Sequence, residues 1–248
     1  MKSAILLLAR MGSTRLPDKL LLQIMGRPIL EYQIERLKTA RRPDCLVLCT
    51  TKLAEDDVLV DLATRNGLAA FRGNTEDVVD RMLRAAQEHQ VDFVISIGGD
   101  DVLSDPEHVD RIIEKFLQTR ADFVSCSDLP VGCTPFGVKT EALERLCRTK
   151  TGGTDGWERY FEETGLFQVE RVPVQDEILR RPELRMTLDY PEDFEFFKSV
   201  FETLYPQKGV FPLRDVIRLI DSRPDIAELG QKRAGEWHRK RATFDIRV

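Results

Sequence analysis

One short segment near the N-terminus concentrates residue types that bind phosphate. Residues 9–19 bring together three cations, two hydroxyl groups and a glycine. The segment contains Ala9, Arg10, Gly12, Ser13, Thr14, Arg15 and Lys19. Gly12 lets a ligand approach the backbone closely, and neighbouring N–H groups can form a concavity for an anion. The three cations would offset much of the charge of a triphosphate. A solvated surface loop with scattered ion pairs explains the same composition equally well, and the segment is neither a P-loop nor a dinucleotide fingerprint.

Two adjacent carboxylates could hold a metal ion. Asp100 and Asp101 directly follow an apolar run at residues 93–97. Magnesium prefers hard oxygen ligands, commonly one or two carboxylates together with phosphates and waters. Ligands of open parallel sheets bind beyond the carboxyl ends of the strands, which favours the interpretation as metal ligands. The alternative is that the pair caps the next helix or faces solvent.

A second acidic group lies in residues 187–193, where Pro191 is suited to open a helix. Asp189 precedes this proline, and Glu192 and Asp193 would fall in the first helical turn. Carboxylates there interact favourably with the helix dipole. The residue types alone therefore favour a structural role for all three.

Two further arginines have both functional and structural interpretations. Arg72 follows a short apolar run, where it could contact a nucleotide or simply be exposed. Asp77 and Arg81 are four residues apart in a helical pattern, so a local ion pair is the better explanation for them.

Alternating apolar runs and helical patterns must position these groups. Strands are expected at residues 4–8, 45–49, 68–71 and 93–97. Helices are expected from Pro28, at residues 55–66 with Gly67 after the end, at 75–89, and at 106–117 with Asp105 as the cap. This alternation predicts βαβ units and a mostly parallel sheet.

The second half has a less regular pattern. Strands are expected at residues 123–126, 167–172 and 184–188, and helices at 140–148, 155–164, from Pro191, and at 212–222. The tail at residues 231–241 is predicted to be a basic helix, either solvated or in contact with another subunit. Its basic residues are Lys232, Arg233, His238, Arg239, Lys240 and Arg241.

The composition excludes several classes of protein. The 248 residues carry a formal net charge of −5, which argues against broad attraction to nucleic acid or anionic membranes. The N-terminal apolar run is too short for a signal peptide, and none approaches the roughly 20 apolar residues of a membrane-spanning helix. The five cysteines include no CxxC pair, and the three histidines lack metal-ligand spacing. These features predict a cytoplasmic protein with reduced cysteines.

Several of these segments together resemble a known family. Residues 9–19 are similar to the nucleotide-binding signature of cytidylyltransferases with a GT-A-like Rossmann fold. These include the 3-deoxy-manno-octulosonate, acylneuraminate and, above all, spore-coat polysaccharide F-type enzymes. Further motifs match in the family's order at residues 26–30, 71–78, 96–100 and 187–193. Asp18 stands where the family usually has glycine, and Val102 stands where it usually has proline.

The pattern and the resemblance together predict an α/β fold, a single Rossmann-like, GT-A-type domain over residues 1–248. Its central sheet is expected to be mixed, mostly parallel and flanked by helices. We expect a nucleotide-binding half at residues 1–120, an acceptor-binding half at 121–210 and a C-terminal helical tail at 211–248.

The activity implied by the resemblance is magnesium-dependent transfer of CMP from CTP to a small acidic or sugar-derived acceptor, with release of pyrophosphate. By resemblance, Asp100 and Asp189 bind Mg²⁺, and the catalytic residues are Arg15, Lys19 and Asp100. The nucleotide-binding residues are then Ala9, Arg10, Gly12, Ser13, Arg15, Lys19, Arg72 and Asp100. Neither nucleic acid nor a membrane is an expected partner, and a homodimer is compatible with the sequence.

The resemblance leaves the acceptor open. Residues 151–160 could form an acceptor loop, with Trp157 or Tyr160 as a wall and Arg159 binding an acidic group. A loop leading into an ordinary helix, packed through Trp157 and Phe161, is somewhat better supported. Three alternative functions also stay open: a nucleotidyltransferase that uses another NTP, a non-catalytic nucleotide sensor, and a glycosyltransferase with a nucleotide-sugar donor.

Overall fold

Alternating burial along the first strand shows how the central sheet is built. The computed structural model describes residues 1–241, 243–244 and 246–248, and strand β1 (Ser3–Leu8) lies in the middle of its main sheet. Ala4 and Leu6 pack into one apolar cluster, whereas Ile5 and Leu7 pack into another. A strand covered on both faces has to be apolar throughout, which explains its unbroken apolar run.

The other elements follow in an alternating order. The remaining strands are β2 (Gln23–Ile24), β3 (Arg27–Pro28), β4 (Cys45–Thr51), β5 (Ala69–Gly73), β6 (Phe93–Gly98), β7 (Phe123–Cys126), β8 (Phe136–Lys139) and β9 (Val169–Val172). The helices are α1 (Ile29–Leu37), α2 (Asp57–Arg65), α3 (Val78–Glu88), α4 (Pro106–Thr119), α5 (Thr140–Thr149), α6 (Glu158–Glu163), α7 (Pro191–Lys208), α8 (Leu213–Ser222), α9 (Pro224–Gln231) and α10 (Ala234–Arg241).

The main sheet has the strand order β5-β4-β1-β6-β8-β7-β9. Strands β5, β4, β1 and β6 pair in parallel, and β7 pairs in parallel with β9. Strand β8 runs antiparallel to both of its neighbours. The prediction of a mixed, mostly parallel sheet is therefore confirmed.

Helices cover both faces of this sheet. Met82 of α3 and Leu143 of α5 pack on one face, and Ile34 of α1, Leu62 of α2 and Ile112 of α4 pack on the other. Helices α7 and α8 build a third apolar cluster. The result is a single α/β domain flanked by helices, as predicted. None of the helices in the described residues combines the length and apolar character needed to cross a bilayer.

Two predicted helix ends are confirmed in detail. Asp105 caps α4, because its carboxylate accepts a hydrogen bond from the backbone N–H of His108. Gly67 follows α2 with φ of +69°, a left-handed conformation that favours glycine. The helix predicted for the basic tail at residues 231–241 is confirmed as α10, Ala234–Arg241.

The strand predicted at residues 184–188 is wrong. The segment forms one isolated bridge, between Val131 and Arg185, and no ladder within the described chain. Its apolar alternation serves another purpose, because Leu184, Met186 and Leu188 pack against the cluster of α7 and α8. Arg185 and Thr187 between them are buried too, so the whole segment is enclosed without a sheet partner.

Strand β8 is not predicted by the pattern, because Gly137 and Lys139 interrupt its apolar residues. Packing explains the glycine. A Cβ at Gly137 would lie 2.4 Å from a methyl carbon of Ile112 and 2.5 Å from the ring of Phe93. The position is thus set by contacts with β6 and α4, which no local pattern shows.

Candidate active site

Two parallel strands deliver the predicted residues to one edge of the sheet. Leu8 of β1 lies opposite Gly98 of β6, so residues 9–19 and Asp100 follow the same edge. The N–H of Gly99 donates to the carbonyl of Leu8 across 2.8 Å. A Cβ at Gly99 would lie 3.2 Å from that oxygen, so glycine permits this close approach.

The segment before α7 brings Asp189 to the same edge. The N–H of Leu188 donates to the carbonyl of Asp100 across 2.9 Å, which holds the two segments side by side. Asp193 accepts hydrogen bonds from two successive N–H groups, the first that of Asp189, each at 2.8 Å. Its carboxylate also pairs with buried Arg185 at 2.7 and 2.5 Å. Asp193 therefore has the helix-terminal role predicted for it, and it also orients Asp189.

Two cations of the N-terminal loop meet the two aspartates. Lys19 Nζ lies 2.8 Å from Asp100 Oδ2 and 3.3 Å from Asp189 Oδ1. Arg15 Nη2 lies 2.5 Å from the same oxygen of Asp189. The fold thus joins four predicted residues, from three distant parts of the chain, in one cluster.

These ion pairs shift the pKa values of the cluster. Burial opposes the charge on Lys19, but Asp100 and Asp189 outweigh it and raise the pKa of Lys19. Burial likewise opposes ionisation of Asp189, yet Lys19 and Arg15 hold its pKa below the ordinary value. The ion pairs are therefore charged at neutral pH.

Asp101 has the opposite electrostatic environment. Burial, followed by the charges of Asp100 and Asp189, raises its pKa to about 8. A hydrogen bond with Thr187 and the charge of Lys19 oppose this rise without cancelling it. Asp101 thus holds a proton over much of the neutral range, unlike Asp189.

Two buried polar residues hold the loops in place. Asp56 accepts hydrogen bonds from the N–H groups of Met11 at 2.7 Å and Thr51 at 3.1 Å. Gln33 Nε2 donates to two carbonyls beneath the site, including that of Asp101 at 2.9 Å. Met11 is 45 residues from Asp56, and the two partners of Gln33 are 65 and 68 residues away, so no local signal indicates these contacts.

A cavity of about 430 Å³ lies over the cluster. Its lining includes the predicted residues Ala9, Arg10, Gly12, Ser13, Arg15, Lys19, Asp100 and Asp189, together with Asp101. Pockets for small molecules commonly enclose about 300–1,000 Å³. We call this space the first cavity.

A family comparison now identifies the type of enzyme. The model of the cytidylyltransferase family matches residues 4–223, which include every residue of the cluster. The chain belongs to this family. It is therefore a nucleotidyltransferase, and the resemblance seen in the motifs is confirmed.

Individual relatives agree with the family. A cytidylyltransferase of known structure from Leptospira borgpetersenii serovar Hardjo-bovis is 31% identical, with a TM-score of 0.81 over 92% of this chain and 97% of that one. The spore coat polysaccharide biosynthesis protein SpsF of Bacillus subtilis is 26% identical over 228 residues, 88% of this chain and 94% of SpsF. A CMP:2-keto-3-deoxy-manno-octonic acid synthetase, solved in complex with CTP, has the same fold at 15% identity, with a TM-score of 0.62 over 82% of this chain and 99% of the other.

Arg72 lies apart from the cluster of this cytidylyltransferase. Its guanidinium donates to the carbonyls of Thr51 at 2.9 Å and Leu53 at 2.7 Å, and it pairs with Asp57. Within the described residues, Arg72 is not part of the lining of the first cavity. Its contacts match the structural interpretation of an arginine on the surface.

The ion pair predicted between Asp77 and Arg81 is wrong. Asp77 caps α3 and pairs with Lys150 instead. Arg81 is only 5% exposed, lines the first cavity and donates to the carbonyl of Asn74 at 2.9 Å. The structure therefore adds a cation to the cavity that the sequence assigned to a local pair.

The basic tail is not fully solvated, which corrects its prediction. Trp237, Lys240 and Arg241 of α10 line the first cavity. Arg241 forms an ion pair with Glu158, which is only 6% exposed. Helix α10 thus forms part of the wall of the site.

Residues 151–160 lead into a helix that packs through Trp157 and Phe161, as one of the two interpretations predicted. Trp157 is 7% exposed, lines the first cavity and packs in the same apolar cluster as Phe161. Tyr160 is fully buried, and Arg159 forms an ion pair within its own helix. Of the three candidates for acceptor binding, Trp157 is the one that reaches the cavity.

The donor set suits a divalent cation. Asp100 Oδ2 and Asp189 Oδ1 both lie within 3.3 Å of the ammonium of Lys19, so they converge on a point that a positive charge can occupy. Hard carboxylate oxygens favour magnesium or manganese. No group of three or more His, Cys, Asp or Glu side chains arranged for a metal occurs among the residues that the structure describes. Two carboxylates are nevertheless sufficient where phosphates and waters complete the coordination.

Proposed function

We propose that this enzyme transfers CMP from CTP to a small acceptor and that the reaction requires magnesium. The observation that carries the proposal is the convergence of Arg15 and Lys19 on Asp100 and Asp189 in the first cavity. Such a cluster can bind a polyphosphate and a divalent cation at the same place. The CTP complex of a protein with the same fold supports cytidine as the base.

The chain's own residues position the nucleotide. The backbone around Gly12 and the hydroxyl of Ser13 would bind phosphate oxygens in the first cavity. Arg15 and Lys19 would form charge-assisted hydrogen bonds with the leaving pyrophosphate. An acceptor oxygen attacks the α-phosphorus, a new P–O bond forms, and the bond to the bridging oxygen of pyrophosphate breaks. Catalysis then rests on positioning and on stabilisation of charge.

Asp100 and Asp189 would hold Mg²⁺ in this enzyme. The bound ion would supply charge stabilisation at the phosphoryl group and lower the pKa of the acceptor. Lys19 contacts the same two carboxylate oxygens, so it competes with the ion for them. We therefore expect the ammonium of Lys19 to neutralise both aspartates before the ion binds and to become available to phosphate afterwards.

Further cations complete the proposed nucleotide site. Arg10, Arg81 and Lys240 line the same cavity, where they would add positive charge around a triphosphate. The division into a nucleotide-binding half and an acceptor-binding half remains part of this proposal.

The test is pyrophosphate release with each of the four NTPs, with magnesium or manganese, against a panel of acidic acceptors. We expect CTP to be preferred and Asp189→Asn to lower kcat/KM by about 100-fold or more, the usual scale for a group that stabilises transition-state charge. Asp225→Asn, at an exposed ion pair on α9, is the matched control and should retain native activity. Preference for another NTP would show that the enzyme uses a base other than cytosine. Native activity of Asp189→Asn would refute the proposed site.

A further inference from the structure

A second cavity, of about 340 Å³, meets the first beneath α10. Asp101, Phe136, Trp237 and Arg241 line both cavities. The second cavity is thus separated from the proposed nucleotide site only by side chains that both share. Any molecule bound there lies beside the aspartate that follows Asp100.

The lining of the second cavity differs from that of the first. Arg15 and Lys19 belong to the first cavity, whereas Thr134 and His238 belong to the second. A two-substrate transferase needs a second binding site next to the reacting phosphate. The second cavity adjoins the first through Asp101, the neighbour of Asp100, and its lining includes neither Arg15 nor Lys19, the cations that we assign to pyrophosphate.

The chemistry of the lining limits the ligand. Phe136 and Trp237 offer apolar faces, and Thr134 offers a hydroxyl group. Arg241 lies 5.2 Å from the ring centroid of Trp237, a cation–π distance that orients its guanidinium. A guanidinium has five N–H donors, more than the contact of Nη2 with Glu158 uses, so it can also bind an anionic group. The volume lies at the lower end of the range for small-molecule sites.

Contacts from the C-terminus hold this wall of the cavities. The N–H of Thr151 donates to the carbonyl of Arg247 at 2.8 Å, and Arg159 Nη1 donates to the carbonyl of Phe244 at 3.1 Å. A Cβ at Gly156 would lie 2.6 Å from the ring of Phe244, so the two segments touch closely. Helix α10 lies beyond residue 223, where the match to the family ends.

We infer that the second cavity is the acceptor site, that its ligand is a compact hydroxylated molecule with one anionic group, and that α10 determines this specificity. The inference rests on the proposed function and adds to it the place and the chemical class of the acceptor. Helix α10 lies outside the family match, so its share of the lining is additional to the part of the chain that the family model covers.

The test uses the full chain with CTP, magnesium and three probes. 3-Deoxy-manno-octulosonate and glycerol 3-phosphate are hydroxylated and anionic, whereas 2-aminoethylphosphonate is anionic without a hydroxyl group on carbon, and a preference for it would refute the hydroxylated class. Thr134→Trp fills the second cavity only, and Thr75→Trp makes the same change at a residue that lines only the first. With the best probe, Thr134→Trp should raise KM for the acceptor by about 10-fold or more, equivalent to about 1.4 kcal/mol, and keep KM for CTP within about twofold. Thr75→Trp should show the reverse pattern. Thermal unfolding confirms that both variants fold.

A second variant tests the anionic group. Glu158→Gln with Arg241→Gln removes both charges of the ion pair, so no buried carboxylate is left unpaired. This double variant should lose most of the preference for 3-deoxy-manno-octulosonate over its neutral methyl ester.

Each outcome decides between the claims. CTP binding is measured by calorimetry without acceptor, and its absence in the native protein would refute the proposed function itself. If CTP binds, the acceptor inference alone fails in either of two cases: no probe is turned over, or Thr134→Trp leaves KM for the acceptor unchanged. If the double variant keeps the native preference for the anionic acceptor, the inference that α10 determines acceptor specificity is wrong.

Discussion

The buried pair of Arg185 and Asp193 offers a sharp test of how the site is supported. The two side chains are 1% and 2% exposed and make two contacts, at 2.7 and 2.5 Å. Asp193 also accepts two backbone hydrogen bonds, one of them from Asp189. Asp193→Asn keeps the shape of the side chain and removes its charge. We therefore expect it to affect both stability and the proposed metal site.

The expected loss in the free energy of unfolding follows from the burial of Arg185, which Asp193→Asn leaves without its carboxylate partner. Removing one member of a buried ion pair typically costs about 3–5 kcal/mol, because the other charge stays uncompensated. Arg185 cannot lose its proton, whereas a buried carboxylate can take one up. Asp193→Asn should therefore destabilise the protein more than Arg185→Met does. For a domain of this size, a loss of that order corresponds to a midpoint lower by about 6–20 °C.

Calorimetry and urea unfolding of both single variants and the double variant provide the measurement. The double variant should lose less free energy of unfolding than the sum of the single variants, because no unpaired charge remains in it. Asp225→Asn, at the exposed pair with Arg223, serves as the control and should leave the midpoint unchanged. A folded Asp193→Asn variant should also need more magnesium for half-maximal activity, because the N–H of Asp189 loses a charged acceptor. Additive losses, or a midpoint for Asp193→Asn equal to that of the native protein, would refute the reasoning.

Two further substitutions test the backbone around the cavities. Asp56→Asn should cost about 1–3 kcal/mol and raise KM for CTP, because buried Asp56 anchors the N–H of Met11. Hydrogen bonds from Thr51 and Met11 overcome the effect of burial and hold the pKa of Asp56 below its ordinary value. Its stabilisation is thus complete above the unfolded-state pKa, and the difference between native and variant in urea unfolding should shrink below about pH 4; a difference independent of pH would contradict this. Gly67→Ala should cost about 1–2 kcal/mol, because a side chain at Gly67 strains a left-handed backbone. Gly132→Ala should destabilise the protein more, because a Cβ there would also lie 2.4 Å from a backbone oxygen. Equal unfolding midpoints of the two variants would show that the loop can move.

Local patterns were sufficient for much of the fold and for the residue types of the site. Strands β1, β4 and β6 consist mostly of apolar residues because both of their faces are buried. Parallel pairing of β1 and β6 then requires residues 9–19 and Asp100 to share an edge. The motifs added Asp189, which the residue types alone favoured as part of a helix start.

Only the tertiary structure could decide which charges meet. Lys19 and Asp189 are 170 residues apart, and their contact depends on a hydrogen bond between Leu188 and Asp100 rather than on a strand. The raised pKa of Asp101 arises from burial and from neighbouring charges that converge on folding. The wall that α10 adds to the first cavity also depends on residues distant in sequence, because Arg241 forms an ion pair with Glu158. Short-range periodicity determines the elements, whereas contacts between distant residues determine burial and charge, and these depend on how the elements pack.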